Sequence, residues 1–319
     1  IDKGFAYVSE GDVYFRVTKS NNYAKLANKT LEDLEIGASG RTDAETDRKE
    51  DPLDFALWKA AKEGEISWES PWGPGRPGWH IECSVMATEI LGDTIDIHGG
   101  GADLEFPHHT NEIAQSEAKT GKTFANYWMH NGFVNVDNEK MSKSLGNFVT
   151  VHDMLKTVDG QVLRFFLATQ QYRKPINFTE KAIHDAEVNL KYLKNTHSLP
   201  LTEEVSQAEL QAYLDAFQAA MDDDFNTANG VTVLFDMAKW INSGNYDETV
   251  KNAFEKILQV FGIVFEEETL DEDIEKLIEE RQAARANKDF ATADRIRDEL
   301  AAQGIKLLDT KEGVRWTRD

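Results

Sequence analysis

Lysines and serines crowd into one short stretch of the chain, where Lys140, Ser142, Lys143 and Ser144 are followed by Gly146. Two ammonium groups and two hydroxyl groups on one turn can contact a polyphosphate through charge-assisted hydrogen bonds. A glycine directly behind them frees the backbone from the restrictions that a Cβ imposes. A solvated basic turn is the alternative, but five specified residues in a fixed order favour a phosphate-handling loop. We call residues 140–147 the lysine loop.

A thiol, an imidazole and a carboxylate form a second candidate site, made of Cys83, His108 and Glu112. On a helix, His108 and Glu112 stand four residues apart and therefore point the same way. Enough chain separates Cys83 from His108 for a helix, a strand and a turn to bring the thiol back. This set of ligands suits zinc. Spacing alone favours a plainer interpretation, a buried free cysteine near a helical His/Glu pair.

The start of the chain predicts a small β structure. Two β-rich runs, residues 4–8 and 11–17, indicate a hairpin. The polar stretch 37–51 has no periodicity and predicts a loop. The run 52–59 is compatible with a short helix or with a strand that packs against the hairpin.

Helical and strand patterns alternate from residue 78 to the lysine loop. Residues 85–91 predict a helix that ends at Gly92, and residues 93–98 predict a strand closed by glycines. A helix follows Pro107, and a strand over 127–136 precedes the lysine loop. This order indicates a parallel α/β sheet with ligands at the carboxyl ends of its strands.

Helical periodicity dominates the rest of the chain and predicts an antiparallel bundle. The predicted helices cover residues 152–159, 161–171, 181–196, 207–222, 226–242 and 248–261. A basic helix over 274–303, interrupted near 287–289, and a hairpin over 305–318 complete the prediction.

Composition sets broad limits on function. The net charge of −22 counts against nucleic-acid binding overall, but a local basic stripe such as Arg281 to Arg297 can still meet RNA. The single cysteine excludes an internal disulfide and fits a reducing compartment. Without an apolar run near eighteen residues, the sequence predicts a cytoplasmic protein with no membrane span.

Six stretches, in their order and spacing, resemble cysteinyl-tRNA synthetases, a family of class I aminoacyl-tRNA synthetases. They are residues 78–83, 96–101, 103–104, 106–109, 111–115 and the lysine loop. The resemblance extends over essentially the whole chain and is strongest from Trp58 to Asn147; it includes the stretch Met221 to Thr227. The lysine loop resembles the class I signature whose second lysine stabilises departing pyrophosphate.

This resemblance implies an α/β fold: part of a Rossmann-like catalytic domain with an inserted connective segment, then a helical bundle and a small C-terminal domain. Residues 1–70 would be the connective segment, and 71–150 the second half of the catalytic domain with the zinc site. Residues 151–265 would form a tRNA-binding bundle, and 266–319 an anticodon-binding domain.

The resemblance also implies roles for single residues. Cys83, His108 and Glu112 would bind Zn²⁺, which holds the thiolate of the substrate cysteine, and Trp79 and His98 would line the amino-acid site. Lys143 and Lys140 would be catalytic, and Lys143, Ser142 and Ser144 would bind ATP. The implied cofactors are Zn²⁺, ATP and Mg²⁺, and the partners are tRNA(Cys) and L-cysteine, with the chain a monomer.

The sequence departs from the family pattern in two places. No His-x-Gly-His signature occurs, and Cys83 has no second cysteine to join it. These departures predict that the chain begins inside the connective insertion and is inactive by itself. Two alternatives therefore stay open beside a cysteine–tRNA ligase: a ligase joining cysteine to an amino sugar in thiol biosynthesis, and a noncatalytic tRNA-binding fragment.

Overall fold

The computed structural model describes residues 1–21, 23–29, 34, 48–203, 205–265, 272–310 and 313–318. Most of the predicted loop 37–51 lies outside these residues. The chain divides into two compact units, residues 1–263 and residues 264–319. Both candidate sites belong to the first unit.

An antiparallel sheet of four strands in the order β1-β2-β3-β4 opens the first unit. The strands are β1 Ala6–Ser9, β2 Asp12–Phe15, β3 Phe55–Ala60 and β4 Gly75–Pro77. The pairing of β1 with β2 confirms the predicted hairpin, and the pairing of β2 with β3 selects a strand for the stretch 52–59. Stacked rings fill the core of this region, with the centroids of Phe15 and Phe55 5.1 Å apart.

Two parallel strands with a helix before and between them carry most of the predicted site residues. These elements are α1 Ile81–Leu91, β5 Ile95–Gly101, α2 Thr110–Thr120 and β6 Ala125–Asn131. The parallel pairing of β5 with β6 confirms the predicted sheet type. Gly92 ends α1 with a φ of 99°, as its place after the helical run predicts. Buried Ile95, Ile113 and Phe124 join the strands to α2.

The prediction of one strand over residues 127–136 is wrong, because the chain breaks at Gly132. There β6 ends and a short strand, β7 Val134–Val136, begins in another sheet. The backbone amide of Gly132 donates a hydrogen bond to the carbonyl of Tyr172, 2.8 Å away. A Cβ at Gly132 would lie 2.4 Å from the carbonyl carbon of Lys174. The break therefore results from close backbone packing that strand propensity does not reveal.

The second sheet of this region supports the lysine loop. It has the order β8-β7-β9, with β8 Glu139–Lys140 antiparallel and β9 Ile176–Phe178 parallel to β7. The sequence did not predict β9, which is only three residues long. The lysine loop leaves directly from β8.

Helices follow the lysine loop, and α7 packs against α5, α6 and α8. Their bounds are α3 Val151–Met154, α4 Gly160–Ala168, α5 Glu180–His197, α6 Gln207–Asp222, α7 Thr227–Asn242 and α8 Glu248–Val260. The last four match the predicted helices closely, whereas α3 is shorter than the predicted 152–159. None of the helices within the described ranges combines the length and apolar character that a membrane crossing requires.

The second unit contains two helices and a hairpin, as predicted. They are α9 Glu272–Ala286, α10 Phe290–Ala302, β10 Ile305–Thr310 and β11 Gly313–Arg318. Ile274, Ile296, Leu300 and Ile305 form its core. The buried Arg281 forms a two-pronged ion pair with Asp309, both contacts at 3.0 Å. A basic residue on α9 therefore serves to hold the hairpin.

An apolar cleft of about 1010 Å³ lies between the N-terminal sheet and α1. Phe5, Trp58, Trp72, Val85 and Met86 are among its lining residues. Val85 and Met86 are exposed on α1. This part of the first unit therefore presents apolar surface to solvent.

Candidate functional site

Histidines from two strands and one helical turn meet beside α2. His98 lies on β5, His130 lies on β6, and His108 and His109 lie in the turn Glu105–His109 that leads into α2. The His98 ring centroid lies 4.5 Å from that of His109, and His109 Nδ1 lies 2.9 Å from His130 Nε2. Burial, followed by the neighbouring histidines, lowers the pKa of His109 to about 3. His109 is therefore neutral.

Glu112 on α2 is the carboxylate of this region and is 5% exposed. Its Oε2 lies 2.9 Å from His98 Nε2 but outside hydrogen-bonding geometry, so within the described ranges this buried oxygen accepts no hydrogen bond. One nitrogen each from His98 and His109 and one oxygen from Glu112 all lie within 4.8 Å of one another. Within the described part of the chain, this is the group of three side chains that could hold a metal ion.

Cys83 and His108, which the sequence groups with Glu112, lie outside that group of three. Cys83 is exposed on α1; partial burial of its thiol, followed by the charges of Glu112 and Glu82, raises its pKa. Ser84, the next residue, donates to the backbone carbonyl of Glu112 at 3.3 Å, so Cys83 lies on the turn of α1 that contacts α2. His108 lies in the turn before α2, and the exposed Trp79 ring approaches it, with centroids 6.1 Å apart.

His108 is held by a chain of polar contacts that the sequence did not predict. Its Nδ1 lies 3.1 Å from His80 Nε2, and His80 Nδ1 lies 3.1 Å from Asn111 Nδ2. Tyr23 donates a hydrogen bond to the Asn111 side chain. Because one ring nitrogen of His108 is used in this way, the other is left to face a ligand.

The lysine loop is far more open. Lys140, Lys143 and Ser144 are exposed, and Ser142 is half-buried. Asn147 organises the turn: its Oδ1 accepts from the Ser142 amide at 2.8 Å, and its Nδ2 donates to the Lys140 carbonyl at 3.3 Å. No carboxylate in the described ranges pairs with Lys140 or Lys143, whose ammonium groups lie 3.8 Å and 5.5 Å from the ring centroids of Phe133 and Phe148. Both charges are therefore left for a ligand.

Sequence reasoning missed several contributors to these sites, among them His80, His109 and Asn147. His109 follows His108 directly, so the four-residue spacing that joins His108 to Glu112 leaves it out. The high density of histidine between residues 80 and 130 is the signal that could have indicated His80 and His109 as site residues. Asn147 acts through its position in the folded turn, and spacing does not disclose that.

The residues present fit a metal ion. Thiolate, imidazole and carboxylate are the donors that zinc prefers, and Glu112 offers a buried carboxylate oxygen without a hydrogen-bond partner among the described residues. An unpaired buried carboxylate oxygen is costly, and metal coordination would relieve that cost.

Comparison with known proteins assigns most of the chain to family domains. A family model for the "tRNA synthetases class I (C) catalytic domain" matches residues 1–188. A "DALR domain" matches residues 216–266, and a "Cysteinyl-tRNA ligase anticodon binding domain" matches residues 267–316. A cysteine–tRNA ligase of Streptococcus agalactiae serotype V is 81% identical over all of this chain and 71% of its own length.

The chain belongs to the cysteine–tRNA ligase family. Another member, from Streptococcus pyogenes serotype M6, is 82% identical over the same shares. Among solved structures, a putative arginyl-tRNA synthetase from Campylobacter jejuni superposes with a TM-score of 0.51 at 14% identity, covering 84% of this chain and 60% of that one. That likeness supports the class I catalytic fold.

Proposed function

We propose that the protein joins cysteine to tRNA(Cys) in two steps, activation of cysteine by ATP and transfer of the cysteinyl group. The observation that carries the proposal is the pairing of two sites in one unit. An exposed lysine loop with no carboxylate partner among the described residues lies on the same compact unit as a buried carboxylate surrounded by imidazoles. The first suits a polyphosphate, and the second suits a metal that recognises a thiol.

Lys143 acts on the phosphates in this proposal. Its ammonium group would stabilise the charge that grows on pyrophosphate as cysteine attacks the α-phosphate of ATP. Ser142 and Ser144, whose hydroxyl oxygens lie 3.1 Å apart, would donate hydrogen bonds to phosphate oxygens, and Lys140 would add a second charge. Mg²⁺ would accompany the nucleotide. Catalysis is then mainly positioning and charge stabilisation.

Cys83, His108 and Glu112 would hold zinc, and Trp79 and His98 would line the amino-acid site. When bound, zinc supplies a soft Lewis acid that favours a thiolate over a hydroxyl. The protein side chains orient this site: His80 and Asn111 fix the ring of His108, and the backbone carbonyl of Glu112 accepts from Ser84 at 3.3 Å. Glu112 would thus be fixed before any ligand arrives.

His98, His109 and Glu112 form an alternative set of zinc ligands, which has Glu112 in common with the first set. The zinc content of variants distinguishes the two sets. His109 is 4% exposed and closely packed by Gly100, whereas His108 is only half-buried, so His109 fits a ligand role less well than His108. We expect Cys83→Ser and His108→Asn to lower zinc content in purified protein, and His109→Asn to retain it. Retention of zinc by Cys83→Ser with loss in His109→Asn would reverse the assignment.

The remaining regions would bind tRNA. Residues 151–265 would contact its body, and residues 266–319 its anticodon. A ligase that joins cysteine to an amino sugar would not need an anticodon-binding domain. The match over residues 267–316 therefore disfavours the amino-sugar ligase. A monomeric state and a cytoplasmic location stay predictions.

The activity test uses two proteins. One is the 319-residue chain; the other, the extended chain, adds the residues that the Streptococcus agalactiae relative has outside the match. We expect cysteine-dependent ATP–pyrophosphate exchange in the extended chain, with strong rejection of serine. Absence of exchange in both proteins, with tRNA binding retained, would instead support a noncatalytic tRNA-binding fragment.

A truncation separates the two steps. Removing residues 264–319 from the extended chain should leave exchange within about two-fold and reduce tRNA charging, since the cut falls at the boundary between the compact units and both candidate sites belong to the first unit. An equal fall in both steps would show that the second unit is structural.

A further inference from the structure

The turn between α6 and α7, residues 223–226, has an unusual backbone. Asp224 and Phe225 both adopt left-handed conformations, with φ of 54° and 50°. Asp tolerates this region, but a bulky aromatic residue adopts it only with backbone strain. Phe225 is also 51% exposed, so burial of its ring does not offset much of that strain. The turn therefore maintains its shape against local preference.

The strained turn is bound to the loop that follows α4. Asp224 accepts from Tyr172 Oη at 2.8 Å and from Arg173 Nε and Nη2 at 2.6 Å and 3.2 Å. Thr227 Oγ1 donates to the carbonyl of Gln170 at 2.8 Å. The Arg173 guanidinium, followed by the Tyr172 hydroxyl, holds the pKa of Asp224 below its usual value. Four hydrogen bonds thus join the tip of the bundle to residues 170–173.

The same loop packs against the strands that carry the lysine loop. The Gly132 amide donates to the Tyr172 carbonyl at 2.8 Å, and the Ile176 amide donates to the Phe133 carbonyl at 2.8 Å. From there β9 pairs with β7, and β7 pairs with β8. The Met141 amide closes the path by donating to the Val134 carbonyl at 3.1 Å. A continuous series of hydrogen bonds therefore runs from Asp224 to the first residues of the lysine loop.

Stability alone does not account for this arrangement. The Asp224–Arg173 pair is about half exposed at both side chains, and exposed ion pairs contribute little to stability. This ion pair therefore offsets little of the backbone strain at Phe225. Strained backbone that its surroundings hold in place occurs preferentially at functional sites.

We propose that Asp224 is a positioning residue for cysteine activation: it fixes the loop 170–175, and through it the strands β7 and β8, so that Lys143 is held in place for the phosphates. The proposal rests on the function proposed for the lysine loop. It adds that the helical bundle, through one carboxylate at its tip, determines the placement of a catalytic side chain on the loop that leaves the neighbouring sheet.

The first test measures backbone protection in the 319-residue chain and needs no activity. Asp224→Ala should raise amide hydrogen exchange over residues 134–141 by about ten-fold or more and leave α8 unchanged. Asp236→Ala is the matched control, because it removes an exposed ion pair with Lys239 on α7, away from the loop. Unchanged exchange over 134–141 in Asp224→Ala would overturn the proposal.

The second test measures kinetics in the extended chain. Asp224→Ala should lower kcat for ATP–pyrophosphate exchange about ten-fold, with the KM for cysteine unchanged and the Tm within about 2 °C of the parent. Arg173→Ala should have the same effect, and the double variant should be no worse than either single variant because both act through one contact. Asp224→Asn, which keeps the shape and the hydrogen bond with Tyr172, should recover part of the rate.

The outcomes separate this inference from the proposed function. If Lys143→Ala slows exchange and Asp224→Ala does not, the lysine loop keeps its role and the positioning proposal is wrong. If neither variant slows exchange, the proposed role of the lysine loop is wrong, and the positioning proposal is wrong with it. A fall in kcat that follows a fall in Tm, matched by Asp236→Ala, would also overturn the positioning proposal.

Discussion

The two candidate sites differ in how the fold treats their charged groups. Around Glu112 the carboxylate is buried, the imidazoles contact one another, and α1, α2, β5 and β6 all contribute. In the lysine loop the ammonium groups are exposed, and hydrogen bonds made by the side chains of Asn147 and Ser142 organise the turn. The geometry around Glu112 is fixed by packing, whereas the geometry of the lysine loop is fixed by a few hydrogen bonds.

This difference matches what each site has to do in the proposed reaction. Discrimination between a thiol and a hydroxyl requires ligands that are fixed before the substrate arrives, since a site that adjusts would accept both. Stabilisation of departing pyrophosphate requires charge that remains free until the nucleotide binds. We therefore expect substitutions near Glu112 to affect recognition and folding, and substitutions in the lysine loop to affect rate.

The largest effect should come from Glu112→Gln. This change keeps the shape of the side chain and removes the charge that a metal requires. We expect zinc content to fall and cysteine-dependent exchange in the extended chain to drop by more than about 100-fold. Glu117→Gln, on the same helix, is the control. Full zinc content in Glu112→Gln would remove Glu112 from the ligand set.

Lys143→Ala should have the second largest effect, and it should slow the chemical step without weakening the binding of cysteine. Loss of one charge at the departing group should slow single-turnover adenylate formation about 10²- to 10³-fold and leave cysteine affinity nearly unchanged. Lys181→Ala, which removes an exposed lysine on α5, should behave like the parent. A large loss of cysteine affinity with a preserved rate would contradict the contrast between the two sites.

Two glycine substitutions test the contrast in packing. A Cβ at Gly100 would lie 2.9 Å from Leu104 Cδ1 and 3.0 Å from His109 Cε1, whereas nothing lies within 4 Å of a Cβ at Gly146. Gly100→Ala should therefore lower the free energy of unfolding by about 1 to 3 kcal/mol. Gly146→Ala should lower it by about 1 kcal/mol or less, because left-handed strain is partly offset by reduced entropy of the unfolded chain. Urea unfolding of the 319-residue chain measures both, and equal losses would refute the contrast.

The smallest effect should come from Asn147→Ala. Two hydrogen bonds on an exposed turn are worth about 1 kcal/mol in net terms, which corresponds to about a five-fold loss of exchange rate. The Tm should fall by no more than about 2 to 4 °C. Exchange as slow as in Lys143→Ala would mean that the turn, rather than the charge, limits the reaction.

The sequence predicted the parts of this fold that depend on local pattern. The hairpin β1–β2, the helix α1 with its terminal Gly92, and the bundle helices all follow from periodicity and turn residues. The break at Gly132 and the strand β9 did not follow, because both depend on backbone packing between segments forty residues apart. Likewise, a motif singled out Lys143, whose role stays a prediction, whereas His80 and Asn147 act through contacts that exist only in the folded chain.

The apolar cleft beside α1 has a practical consequence for all of these measurements. Hydrophobic dyes report unfolding by binding apolar surface as it becomes exposed, and this chain already offers such surface when folded. A dye-based thermal scan should therefore begin at high fluorescence. The further rise in fluorescence on unfolding should be small. Trp58 and Trp72 line the cleft, with ring centroids 6.2 Å apart, so intrinsic tryptophan fluorescence is the better signal for comparing variants.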